Sequence, residues 1–150
     1  MKEMYYIYNN EAIACGCILL VLQKIPNIEI GKLCLVLPFL LDDRTVSLLQ
    51  KEEYQQMTLK DLIAKKPRIF STFNNRYLAL FPVFVNSMTI LHINGYIAFN
   101  KKSVSLNSTS INLENYGDRL LKIEKAANIL VDFIINIKTS ELYRSLNIQL

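Results

Sequence analysis

The longest apolar run in the chain, Ala12–Leu22, is interrupted only by Gly16 and is flanked by polar residues on both sides. A helix built from it is apolar nearly all round, so it has to sit at the centre of a fold. Asn9 or Asn10 can cap its start, Glu11 then lies favourably against the helix dipole, and Pro26 ends it. The remaining chain must wrap this element. At 150 residues there is enough of it for one domain, residues 1–150, with a real core. A hydrophobic share of 51% and a charged share of 20% exclude a disordered tail and a charge-rich coiled coil. Three cysteines are too few for a disulfide-stapled miniprotein.

The elements that follow are mostly helical. Ile30–Leu41 is a second apolar element in which Pro38 predicts a kink or the start of a new helical turn. Thr45–Gln50 reads as an exposed helical turn between acidic pairs. Thr58-Leu59-Lys60-Asp61 reads as a capping box, with Leu59, Leu62 and Ile63 on one face of the helix it opens and Pro67 as its limit. Ile69, Phe70, Phe73 and Tyr77 recur at helical spacing up to Pro82, and Val83–His92 reads as another helix stopped by Gly95. Tyr96–Asn100 and Ser103–Asn107 alternate around Lys101-Lys102 and predict a β-hairpin without the usual turn glycine. Asn107–Asn115 reads as a polar loop. Leu120, Ile123, Ala127, Leu130, Ile134 and Ile137 form a helical seam, and Thr139 is positioned to cap a last helix carrying Leu142, Tyr143 and Leu146. The expected fold class is mainly α: a compact helical domain with one hairpin, of winged-helix or helix-turn-helix type.

The net charge of +4 is unevenly placed. Residues 60–76 hold Lys60, Lys65, Lys66, Arg68 and Arg76 against Asp61 alone, and Lys101 and Lys102 form a second focus at the hairpin turn. These seven cations are the candidate contacts to a DNA backbone, the hairpin pair as a wing tip and the others as a neighbouring helix. An ordinary solvated face of a basic protein accounts for the same residues.

Several chemistries lack their residues. Gly16, Gly31, Gly95 and Gly117 are too dispersed for a phosphate-cradling loop, and Gly31-Lys32 lacks the other positions of a P-loop. His92 is the only histidine and lies in an apolar stretch, so paired-histidine metal motifs are absent. Cys15, Cys17, Cys34 and His92 nominally supply four zinc ligands, but residues two apart on a helix point to different faces. No acid stands two residues before a lysine, as many restriction-like nucleases require. We therefore expect no enzyme, no cofactor and no small-molecule substrate. An odd number of cysteines and no basic–apolar–small leader predict a reducing cytoplasm. No uninterrupted apolar run approaches the ~20 residues of a membrane span, Tyr77–Ile93 being broken by Pro82, Asn86 and His92.

A set of segments, in order along nearly the whole chain, resembles the middle component of bacterial three-component ABC systems. They are Tyr8-Asn9, then Leu35-Val36-Leu37-Pro38-Phe39-Leu40-Leu41 followed by Arg44-Thr45, then Leu62, Lys66-Pro67, Arg76 and Phe81-Pro82. Ala126-Ala127 and Leu142-Tyr143-Arg144-Ser145-Leu146-Asn147-Ile148 complete the set. Asn10 replaces the family's usual proline and Asn147 its glycine, and the Leu-Gly-x-Trp that follows the family's alanine is missing. Asparagine tolerates a left-handed backbone, so Asn147 is expected to keep the glycine's turn.

The resemblance implies a non-enzymatic subunit of an antiphage complex, comparable in plan to Lamassu-type systems. Its partners would be an SMC-like ABC ATPase and an effector, a nuclease in that plan, with double-stranded DNA reached through the complex. The family carries no catalytic residues to transfer. A mean hydropathy of +0.21 agrees with an adaptor, because apolar surface beyond one core's needs usually meets a partner. The candidate interface is either the first stripe, with Leu35, Leu37, Pro38 and Leu41, or the later seam, with Leu120, Ile123, Leu130 and Ile134. Two other functions fit the same features: a winged-helix DNA-binding transcriptional regulator, and a winged-helix accessory subunit of a condensin-like complex.

Overall fold

The computed structural model describes residues 2–107 and 117–150, with side chains from residue 10 onward. In chain order its elements are α1 (Lys2–Lys24), β1 (Asn27–Glu29), α2 (Ile30–Leu33), α3 (Val36–Leu40), α4 (Asp43–Leu49), α5 (Glu52–Gln55) and α6 (Leu59–Lys65). There follow α7 (Pro67–Phe70), α8 (Phe73–Ile93), β2 (Ile97–Asn100), β3 (Ser103–Leu106), α9 (Asp118–Ile134) and α10 (Thr139–Ser145). The fold is mainly helical with a small antiparallel sheet of order β1-β3-β2. The polar loop expected over Asn107–Asn115 lies, Asn107 apart, outside the described residues.

The all-apolar helix is central. Ala14 and Cys17 through Leu22 are buried, and α1 packs on α3, α8 and α9. A Cβ on Gly16 would stand 3.0 Å from Leu120 Cδ1, so the small residue lets α9 approach α1 closely. The helix begins earlier than the expected cap. Asn9 and Asn10 lie inside α1, because the residues before them continue its helical turns.

Pro38 behaves as the second expected alternative. The chain breaks at Cys34-Leu35 and restarts as α3, where Pro38 occupies the first turn and its missing N–H is no loss. Pro82 does not separate two helices; α8 runs through it. It lies on the exposed side, where water can reach the carbonyl left without its amide. Gly95 ends α8 with φ +78, and Tyr96 N returns to Leu91 O at 2.9 Å. Asn147 repeats this turn after α10, with φ +55 and Ile148 N on Tyr143 O at 3.0 Å.

The hairpin forms as expected, with Lys101 at φ +54 in the turn position where glycine is usual. Its partner β1 was not foreseen, since three residues are too few for alternation to show. Ile28 pairs with Val104, and Ile30 N donates to Lys102 O at 2.8 Å. Thr58 accepts from Asp61 N at 3.2 Å, the hydroxyl half of the expected capping box. Thr139 is not the cap of α10; it is the first helical residue, and its hydroxyl is buried with no partner among the described residues.

Candidate partner-docking surface

The two stripes considered as interfaces are inside the protein. Leu35, Leu37, Pro38, Leu120, Ile123, Leu130 and Ile134 are buried, and only Leu41 is partly exposed. Both stripes face α1, whose Ala12–Leu22 stretch is apolar nearly all round and packs on α3, α8 and α9. They therefore build the core and present no free face.

Among the described residues, five of the exposed large apolar side chains gather on α8, while Leu121 and Ile135 stand apart from them. Phe73, Tyr77, Phe84, Ser87, Met88 and Leu91 define its inner side. On the outer side Leu78 (53% exposed), Phe81 (43%), Val85 (46%) and Ile93 (76%) follow helical spacing, with Pro82 and Thr89 between them. A sequence signal for this face exists: no Asp, Glu, Lys or Arg occurs from Tyr77 to Asn100. The interruptions at Pro82, Asn86 and His92 do not break the helix, and α8 is long and apolar enough to cross a membrane by length and composition. Its inner side, however, belongs to the core formed with α1 and α3.

The apolar surface continues onto the hairpin. The His92 ring lies 5.0 Å from that of Phe99, which is 46% exposed, and His92 Nδ1 is 3.4 Å from Ile97 O. Further along α8, Asn86 donates to Glu11 Oε1 on α1 at 3.0 Å.

The seven cations do not form one patch of equals. Lys60, Lys65 and Arg68 are exposed on α6 and α7, and Lys65 and Lys66 place their ammonium groups 5.5 and 5.4 Å from the centre of the Tyr54 ring. Lys101 and Lys102 are exposed at the hairpin turn beside Asn27 and Glu29. Arg76 is half-buried and turned inward. Its Nε donates to Pro38 O at 3.2 Å, and its Nη1 to Ile69 O at 2.9 Å and Thr72 Oγ1 at 2.7 Å. The guanidinium also lies 5.2 Å from the Phe73 ring centre. Arg76 is thus a tie between α3, α7 and α8 and is not presented to a nucleic acid. Pro38 O is one of the carbonyls left open at the end of α3, where a cation also suits the helix dipole.

The titratable groups near this tie are set by burial and by each other. Burial pulls the Asp42 carboxyl up, but hydrogen bonds from Thr45 and the charges of Arg76 and Arg44 outweigh it and leave the pKa below its ordinary value. Burial lowers the Arg76 pKa, opposed by Asp42. Burial pushes the Cys17 thiol up to about 12 and Cys34 to about 11, so neither is a thiolate nucleophile at neutral pH. Tyr143 donates to Gly31 O at 2.7 Å, and its own pKa is raised, chiefly by burial. Among the described residues no group of three or more His, Cys, Asp or Glu could hold a metal ion.

What the arrangement offers is contact surface: a long uncharged helix face, a short hairpin beside it and exposed lysines at the hairpin turn. No curated protein and no solved structure matches the chain. Residues 9–150 match the family described as ABC-three component (ABC-3C) system Middle Component 3, and the span takes in the core, α8 and the hairpin. The chain belongs to this family of middle components.

Proposed function

We propose that this protein is a non-enzymatic adaptor that links an SMC-like ABC ATPase to an effector, a nuclease in the simplest plan, in a cytoplasmic antiphage complex of Lamassu type. A middle component of a three-component system has partner components. The observation that carries the reading is the charge-free outer face of α8, where Leu78, Phe81, Val85 and Ile93 stay in water in the isolated chain. Apolar area of this kind is stabilised when a partner covers it. Protein suits the face better than lipid, because inserting α8 into a bilayer would strip Phe73, Tyr77, Phe84 and Met88 from the core.

Co-expression with the ATPase and the third component of its own system tests the proposal. Val85→Glu places a charge at the middle of the face and is expected to weaken assembly by about tenfold or more. Its melting temperature should stay that of the parent, since Val85 is half exposed. A parent chain that assembles with neither component, or a Val85→Glu variant that assembles as tightly as the parent, overturns it.

DNA contact by the complex is a second reading, favoured by the exposed Lys101 and Lys102 at the hairpin turn. In a winged-helix interpretation of the β1-β3-β2 sheet this turn is the wing tip. The uncharged face of α8 then argues against a stand-alone regulator or a groove-reading helix, which would need cations there to meet phosphates. An accessory subunit of a condensin-like complex shares the same partner class, and the proteins that assemble with the chain separate the two. Salt-dependent, sequence-specific binding of the isolated chain to a duplex would instead favour the regulator.

A further inference from the structure

The sheet has two outer edges, and they differ. Leu106 N donates to Pro26 O at 2.9 Å and Ile30 N to Lys102 O at 2.8 Å, so Lys102, Val104 and Leu106 turn their backbone groups toward β1. Ser103, Ser105 and Asn107 therefore turn theirs toward β2, and Asn107 N does donate to Tyr96 O at 2.9 Å. With the register Ala98↔Ser105 and Asn100↔Ser103, the groups of Ala98 and Asn100 face β3 while those of Ile97 and Phe99 point outward. Ile97 O has His92 Nδ1 beside it at 3.4 Å. The N–H and C=O of Phe99 have no backbone partner among the described residues.

Exposed edges are usually blunted by proline, by charge or by extreme shortness. The β1 edge has all three: Pro26 precedes it, Glu29 lies on it and it is three residues long. The β2 edge, also short at four residues, has neither proline nor charge along Ile97–Asn100, and it carries the exposed Phe99, whose ring lies beside His92. Lys101 and Lys102 follow it directly, at the turn where the edge ends. Among the described residues Lys101 and Lys102 make no salt bridge.

From this asymmetry we infer that the β2 edge receives an extended segment of a partner polypeptide as a fourth strand, with an apolar side chain against Phe99 and an acidic residue facing Lys101 and Lys102. Outward backbone donors and acceptors are matched by another backbone in extended form, which a helix or a duplex cannot supply. The uncharged stretch and the two lysines then select the side chains. The inference rests on the adaptor reading and assigns one of its contacts to a particular backbone.

The test uses the full chain with the two other components of its system. Phe99→Pro removes the outward N–H, leaves every bond to β3 in place, and suits an edge strand. Phe99→Val alters the side chain but keeps the donor. Phe99→Pro should bind the partner component about tenfold or more weakly, Phe99→Val close to the parent, and the Lys101→Glu/Lys102→Glu pair weakly with a smaller salt dependence. Hydrogen exchange supplies a readout independent of any variant: the Phe99 amide should exchange fast in the isolated chain and at least about a hundredfold more slowly in the complex.

Equal binding by parent and Phe99→Pro overturns the inference, as does an unprotected Phe99 amide in the complex. An amide already protected in the isolated chain also overturns it, since the edge would then be covered from within. If Val85→Glu breaks a complex that Phe99→Pro leaves intact, the adaptor reading stands and this inference falls. If the parent assembles with neither component, both fall.

Discussion

Replacing Arg76 with methionine should destabilise the fold by about 3 kcal/mol. The side chain makes three hydrogen bonds between 2.7 and 3.2 Å, two of them to the carbonyls of Pro38 and Ile69, the latter also accepting from Thr72 Oγ1 at 3.4 Å. A bond from a charged donor contributes roughly 1.5–3 kcal/mol, and a carbonyl left dry costs roughly 1–3. These terms do not add, because one guanidinium serves both helix ends, its Nη2 is buried with no partner among the described residues, and methionine recovers the desolvation that holds the Arg76 pKa down. Methionine also keeps much of the aliphatic packing over Phe73, so the loss falls on the polar bonds. For a chain of this length about 3 kcal/mol lowers the melting temperature by about 6–12 °C. Arg76→Lys retains the charge near Asp42 but cannot reach in two directions at once, and should lose about half as much. Thermal melts followed by circular dichroism, with urea titrations at constant slope, measure both variants. A methionine variant melting within about 2 °C of the parent would refute the tie, and so would a lysine variant indistinguishable from it.

Gly31→Ala places a Cβ 2.7 Å from Thr139 Cγ2 and should cost about 1–2 kcal/mol; Thr139→Ser removes that methyl and should restore most of it, and strictly additive urea stabilities would disprove the contact. Asp42 caps α4 through Thr45 N at 3.1 Å and Thr45 Oγ1 at 2.6 Å, so Asp42→Ala should cost about 1 kcal/mol at pH 7. Because its folded pKa lies below the unfolded one, the charge-dependent part of that stability is present above the ordinary carboxylate pKa of about 3.9 and is lost as pH falls through the folded value. The gap between parent and variant should therefore narrow on acidification, and a gap constant from pH 7 to pH 2.5 would contradict the assignment.

Much of the local structure was legible in the chain. Ala12–Leu22 demanded a central helix, Pro38 marked a kink or a helical restart, Gly95 a helix stop, and Asn147 took the left-handed turn implied by its standing where the resembled family has glycine. Such features depend on a residue's own backbone preferences and on those of its neighbours, so they can be read along a line. The family resemblance was legible in the same way, because it rests on residue identities taken in order along the chain.

Tertiary structure alone decided which surface was left over. Leu35–Leu41, the Leu120–Ile134 seam and the Tyr77–Ile93 stretch are all apolar, and periodicity does not rank them. The apolar Ala12–Leu22 stretch of α1 ranked them by geometry: it is covered by the buried stripes of α3 and α9 but by only one side of α8. The same holds for charge. Arg76 and Lys60 belong to one basic cluster in the sequence, yet the turn between α7 and α8 directs the first toward helix-end carbonyls and leaves the second in water. A sequence carries the propensity of each segment; which face is buried is a competition among segments, and it is settled only when they share the same volume.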